Sequence, residues 1–239
     1  MVVDKKVAIL QSNYIPWKGY FDLINYVDEF ILYDEMQYTK NDWRNRNKIK
    51  TAQGAAWLTI AVRQEKLAQK INETFVFDSK WAIKHWRTLA QTYAKTPYFH
   101  LYKDELEALY ATSDFINLSQ INYQFIQTIC KWLDINTKIS WSTDYELCEG
   151  KTERLVKLVQ DAGGNTYLSG LAAQGYLEIA LFDEVGINLE WMNYSGYPEY
   201  SQYGAVQFEH GVTVLDLLFN TGPAAPQYMK TFASSIIKL

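Results

Sequence analysis

Between Lys40 and Lys50 the chain reads KNDWRNRNKIK, with five basic residues, three asparagines and one tryptophan in eleven positions. Arg44, Arg46, Lys48 and Lys50 recur at every second position. An extended backbone would put them on one face, and Asn45 and Asn47 on the other. A guanidinium fork grips a phosphate or carboxylate through two hydrogen bonds at once, so Arg44 and Arg46 are candidate contacts to an anion such as a diphosphate. A run of charge is commonly just a solvated loop. Trp43 argues against that here, because an indole among asparagines serves no solvation purpose.

Two further polar segments follow short apolar runs. Gln11, Ser12, Asn13 and Tyr14 come after KVAIL, and Asp34, Glu35, Gln37 and Tyr38 come at the end of EFILYD. If both runs are parallel strands, these residues lie at the carboxyl ends, where open sheets bind ligands. A helix opening at Pro16 and Trp17 would aim its positive end at the same place. Asp34 could orient a hydroxyl or amine or act as general base; a turn cap is the plainer use. His85, in WAIKHWRTL, is the second candidate base, with a pKa that burial would tune, or simply a histidine packed on Trp81. His100 reads as structural and His210 as a loop residue. Three scattered histidines give no metal-ligand spacing, so no metal is expected. Cys130 and Cys148 read as small buried apolar groups.

Ser169 ends the run TYLSG and could add a ligand contact at another strand end. Tyr194, Tyr197, Tyr200 and Tyr203 surround Pro198, and form either an aromatic wall or lid, with Tyr200 against the ligand, or a packed loop. Asp216 and Asn220 stand one turn apart on a final helix. Neither Gly-x-Gly-x-x-Gly nor a phosphate loop occurs. No cofactor can be named.

The elements that must position these residues follow from periodicity. Strands are expected at Lys6–Leu10, Glu29–Asp34 and Ala56–Val62, and later in KISWSTD, TYLSG and INLEWMNY. Helices are expected at Trp17–Val27, Lys80–Ala94, YKDELEALYA, LSQINYQFIQTICKWLDI, Thr152–Gly164 with Thr152 as its cap, AAQGYLEIALFDEVG, and TVLDLLFNTG stopping at Gly222. The outer thirds alternate strand and helix and the middle is helical. This predicts an α/β fold: one domain over residues 1–239, a parallel nucleotide-binding-like sheet from the N- and C-terminal thirds, and a helical insertion over roughly residues 80–135.

At 239 residues and 48% apolar composition the chain can bury a large core. A net charge of −4 offers no general attraction to nucleic acid. No apolar run is long enough for a membrane span. Two cysteines and an N-terminus without a signal-peptide pattern suit a cytoplasmic location. Eighteen tyrosines and eight tryptophans either simply fill the core or also furnish a site for a phosphorylated or sugar small molecule. Nothing indicates the oligomeric state.

The segments QSNYIPWKGYFDLI, DEFILYDEMQYTKNDWRNRNKI, TERLVKL, YLSG, YPEYSQ and VTVLDLLFNTG, in that order, resemble the WbqC-like protein family. The resemblance implies a bacterial transferase of surface-polysaccharide (O-antigen-type) biosynthesis. The reaction read from it is acyl or aminoacyl transfer to an amino sugar on a nucleotide-linked or carrier-linked substrate. It marks Gln11, Asn13, Tyr14, Pro16, Trp17, Gly19, Asp34, Tyr38, Arg44, Asn45 and Arg46. Ser12 stands where the family pattern leads one to expect proline, which would loosen the turn. WKGY (Trp17–Tyr20) is also similar in layout to the His-x-Gly-His signature of nucleotidylyltransferases, without either histidine. Nucleotidyl transfer, and a non-catalytic ligand-binding partner of a biosynthetic enzyme, are the alternatives.

Overall fold

The computed structural model describes residues 4–111, 116–204 and 207–232. In chain order its elements are β1 (Lys6–Leu10), α1 (Lys18–Asn25), β2 (Glu29–Leu32), β3 (Arg46–Thr51), β4 (Gly54–Thr59), β5 (Val62–Arg63), β6 (Phe75–Val76), α2 (Lys80–Tyr93), α3 (Phe99–Ala111) and α4 (Leu118–Trp132). The second half adds β7 (Lys138–Trp141), α5 (Thr152–Asp161), β8 (Thr166–Gly170), α6 (Ile179–Glu184), β9 (Asn188–Met192) and α7 (Val214–Thr221). Five strands form one all-parallel sheet in the order β7-β2-β1-β8-β9. The α/β expectation holds.

Both faces of the sheet are covered, which is why its central strands read as unbroken apolar runs. Ala8, Phe30, Leu32, Leu168 and Met192 pack with α1, α2, α3, α4 and α7 in one cluster. Val7, Ile9, Ile31, Tyr33 and Tyr167 pack with α5 and α6 in another. The helices of the middle segment thus share a core with the sheet. The chain runs outward from β1 to β2 and β7 with α1 on one face, then returns to β8 with α5 on the other. The connections leave β1 and β8 on opposite faces, and the gap at the carboxyl ends of these two strands is the switch point of the sheet.

Three sequence expectations differ. The strand expected at Ala56–Val62 does not join the parallel sheet; β4 pairs antiparallel with β3 as a separate hairpin. Thr152 is the first helical residue of α5 and Lys151 its cap; the Thr152 hydroxyl instead accepts the Glu178 amide at 3.2 Å. The single helix expected before β9 is a 3₁₀ turn, Leu171–Gly175, followed by α6.

At the amino edge of the sheet Glu29 has a fully buried side chain. Burial alone would raise its pKa, but bonds from Lys5 Nζ at 2.8 Å, Ser140 Oγ at 2.6 Å, Tyr145 and Lys138 outweigh it and hold the pKa down to about 2. Glu29→Gln is expected to cost about 2 kcal/mol in urea unfolding at pH 7. The unfolded carboxyl, near 4.5, binds its proton first as pH falls. The difference from wild type is therefore full above about pH 4.5 and shrinks toward pH 2. An unchanged urea midpoint at pH 7 would contradict this role.

Candidate functional site

The turn after β1 is held by buried polar bonds. Ser12 donates its amide to Asp34 Oδ1 at 2.8 Å and its hydroxyl to Asp34 Oδ2 at 2.6 Å, and Asn122 of α4 donates to Ser12 Oγ at 3.0 Å. Proline at position 12 could not make the first bond. The serine does not loosen the turn; it pins it. Three residues on, Ile15 has φ +36°, a left-handed backbone that a β-branched residue rarely adopts. Asn47 steadies it by donating Nδ2 to the carbonyls of Tyr14 (3.1 Å) and Ile15 (2.9 Å), while the Tyr14 amide donates to the Trp43 carbonyl at 3.0 Å.

Two cavities open along this edge. The larger, about 590 Å³, lies at the switch point on the α5 face and is lined by Ile9, Gln11, Tyr33, Tyr167 and Ser169 from the strand ends, by Gly150, Lys151 and Arg154 from the start of α5, and by Tyr176, among others. Gly150 has φ +93°, and a Cβ there would lie 2.2 Å from Glu153 Oε2, so glycine lets the first turn of α5 close. Arg154 is steadied by a 2.7 Å bond from Nε to the Cys148 carbonyl. The Tyr33 hydroxyl pKa is raised by burial, with Arg154 pulling it back. The smaller cavity, about 300 Å³, is lined by Asn13, Pro16, Trp17, Trp43, Asn47 and Gly211. Trp17 folds back over Gly19, where a Cβ would lie 2.4 Å from the indole.

Arg44 joins the two. Its Nη2 donates to Gln11 Oε1 at 3.1 Å and its Nη1 to Asn13 Oδ1, with Asp42 3.8 Å away. Arg46 does not share these partners. Its guanidinium bonds to Asn41 and lies 4.0 Å over the Trp57 ring. Asn45 and Asn47 do face inward as β3 alternates, Asn45 Nδ2 donating to the Ile60 carbonyl at 2.8 Å.

The structure thus places Gln11, Ser169, Asn13, Trp17 and Trp43 on cavity walls, with Arg44 bonded to two of them. It encloses the other candidates. Asp34 is 1% exposed, with both oxygens on Ser12; burial raises its pKa, with the two Ser12 bonds and the charge of Arg44 opposing. His85 is buried in the core, where Nδ1 accepts from the Tyr14 hydroxyl at 2.8 Å and Nε2 donates to the Thr59 carbonyl at 3.2 Å. Burial lowers its pKa to about 4, the Thr59 bond only partly opposing, so it is neutral near pH 7. Tyr14 and Tyr38 are buried as well.

The tyrosine segment is a packed loop. Tyr194 and Tyr197 pack on Trp17, Tyr200 donates to Asp216 Oδ1 at 2.6 Å, and the rings of Tyr197, Tyr200 and Phe208 surround the Lys18 ammonium. Burial lowers the Lys18 pKa to about 8 against the charges of Asp22 and Asp216.

Sequence reasoning missed the charged lining residues Lys151 and Arg154, and also the rings of Tyr33, Tyr167 and Tyr176. For the two cations a signal was available. Cations at the start of a helix oppose its dipole, and in the first turn of α5 only Glu153 offsets Lys151 and Arg154. Among the described residues no group of three or more His, Cys, Asp or Glu could hold a metal ion, and no helix is long and apolar enough to cross a membrane.

An uncharacterized protein of Mycobacterium tuberculosis (strain ATCC 25618 / H37Rv), Rv1507c, is 49% identical over 228 residues, covering 95% of this chain and 98% of that protein. No solved structure matches significantly. The WbqC-like family model matches residues 11–228, a span that takes in the β1 turn, the Arg44 segment, α5 and the tyrosine loop. The chain belongs to the WbqC-like protein family.

Proposed function

We propose that this chain is a cytoplasmic transferase that binds a phosphorylated sugar or nucleotide-linked substrate in the switch-point crevice, with Lys151 and Arg154 on the phosphate. The observation that carries the reading is the coincidence of these two cations with the carboxyl ends of β1 and β8, the place where a parallel sheet leaves room for a ligand. Gln11 and Ser169 offer hydrogen bonds there, and Tyr33, Tyr167 and Tyr176 offer rings against a sugar or base. Arg44, bonded to Gln11, can stabilise negative charge developing at the transferred group. Acyl or aminoacyl transfer to an amino sugar, in surface-polysaccharide biosynthesis, is the reaction we assign from the family resemblance.

A thermal-shift series with nucleotides, nucleotide-sugars, sugar phosphates and acyl-CoA thioesters tests the reading, since a ligand at 100 times its Kd adds about 2.7 kcal/mol to the native state. Stabilisation by a phosphorylated sugar or nucleotide-sugar, with turnover when an acyl donor is added, is the expected result. Indifference to every phosphorylated compound counts against it.

A second reading is favoured by the enclosure of Asp34 and His85: a ligand-binding partner of a biosynthetic enzyme, with no chemistry of its own. It predicts the same stabilisation and no product from any donor.

A further inference from the structure

The smaller cavity differs in chemistry from the crevice beside it. Its six lining residues are uncharged, and two are tryptophans. Trp43 and its neighbour Trp57 leave 41% and 43% of their surfaces exposed, a costly arrangement for two adjacent indoles unless they meet a ligand. Both are propped in place. Their rings stand 5.3 Å apart at 40°, and Arg46 at 4.0 Å and Lys48 at 5.3 Å lie over Trp57. Across the cavity Trp17 is held by Tyr194 and Tyr197, with ring centroids 5.4 and 5.6 Å away. Rigid aromatic walls lose little entropy on binding.

We infer that this pocket is a second subsite, distinct from the crevice, that takes the ring of an uncharged sugar. A puckered sugar ring offers C–H groups to an indole and hydroxyls to an amide, and the pocket supplies both kinds of surface. Asn13, whose oxygen Arg44 occupies, meets such a ring as a donor through Nδ2. An anionic group belongs in the crevice, where the cations are. At about 300 Å³ the pocket is at the small end of ligand sites, which suits one ring. Arg44 bonds to Asn13 in this pocket and to Gln11 in the crevice, so ligands in the two sites would meet across one guanidinium. In the transferase reading the neutral ring is the N-acylated sugar product, and that identification rests on the proposed function; that the pocket holds a neutral sugar does not.

The test is saturation-transfer NMR on the intact protein. The probes are neutral hexoses and N-acetylhexosamines, with adenosine and uridine as base probes, and the melting shift produced by inorganic pyrophosphate is followed in parallel. At least one sugar should receive saturation at its ring C–H groups. Its affinity should fall at least ~10-fold in Trp43→Ala and by less in Trp43→Phe, with the pyrophosphate shift unchanged in both. Trp43 lies at the surface, so equal melting temperatures of the unliganded proteins confirm that the variants fold. Silence from every sugar, unaltered sugar binding in Trp43→Ala, or binding of the nucleosides instead overturns the assignment. A missing pyrophosphate shift in the wild type strikes at the crevice reading alone and leaves the sugar result standing.

Discussion

On the proposed function, Lys151→Glu combined with Arg154→Glu is expected to lower affinity for a phosphorylated sugar or nucleotide by about 100-fold or more, with the fold intact. A hydrogen bond to a charged group is worth about 1.5–3 kcal/mol, and each 1.4 kcal/mol is tenfold in affinity. Loss of two such contacts, with repulsion added, comfortably reaches that figure. Lys151 is exposed and Arg154 half-buried, so neither reversal opens a core. Both glutamates would lie favourably with respect to the α5 dipole, which offsets the lost Arg154 bond to the Cys148 carbonyl, and the melting temperature should hold. Calorimetric titration of both proteins with the compound found in the thermal-shift series measures the change. Equal affinities would remove the phosphate from this crevice.

The second large effect concerns Asp34. As a brace, it should fail in a way that a base does not. Asp34→Ala strands the buried Ser12 amide and hydroxyl, each a donor that costs about 1–3 kcal/mol unpaired, so the loss in stability should be about 3 kcal/mol. Releasing the turn also frees Gln11 and Asn13 from their places beside Arg44, and ligand affinity should fall with it. A general base gives the opposite pattern: Asp34→Asn would keep stability and affinity and lose turnover. Urea unfolding together with titration of the two variants separates these cases. A stable, tightly binding, inactive Asp34→Asn protein would restore the catalytic role.

Much of the fold was legible in the residues because both faces of the sheet are buried. Apolar runs such as VAIL and EFIL carry that information locally, and the glycine and proline signals bound the helices. The strand expected at Ala56–Val62 does form, as β4, but its pairing with β3 rather than the parallel sheet was not legible, for a related reason. A hairpin packed on one face and a buried parallel strand share residue types, and only partner choice separates them. The wrong cap for α5 has a similar cause: a threonine at a helix start can serve the helix or, as Thr152 does, a distant amide.

The site divides in the same manner. That a polar segment must follow β1 and another β2, and that a basic, tryptophan-bearing strand lies close behind, are facts of order and spacing along the chain. So is family membership, which rests on motifs in sequence. Side-chain direction is not such a fact. Arg44 and Arg46 are two residues apart, yet one reaches Gln11 and Asn13 while the other stacks on Trp57, because the strand begins between them and each meets different neighbours. Asp34 and His85 have the chemistry of catalysts, but α4 closes over the first and α2 carries the second into the core, where burial keeps it neutral. Lys151 and Arg154, more than a hundred residues beyond the β1 turn, come to the crevice because β8 returns to pair with β1. Chemistry is carried by residue type, which is local. Access, charge state and convergence depend on which distant segments pack together, and those were settled by the path of the chain through the sheet.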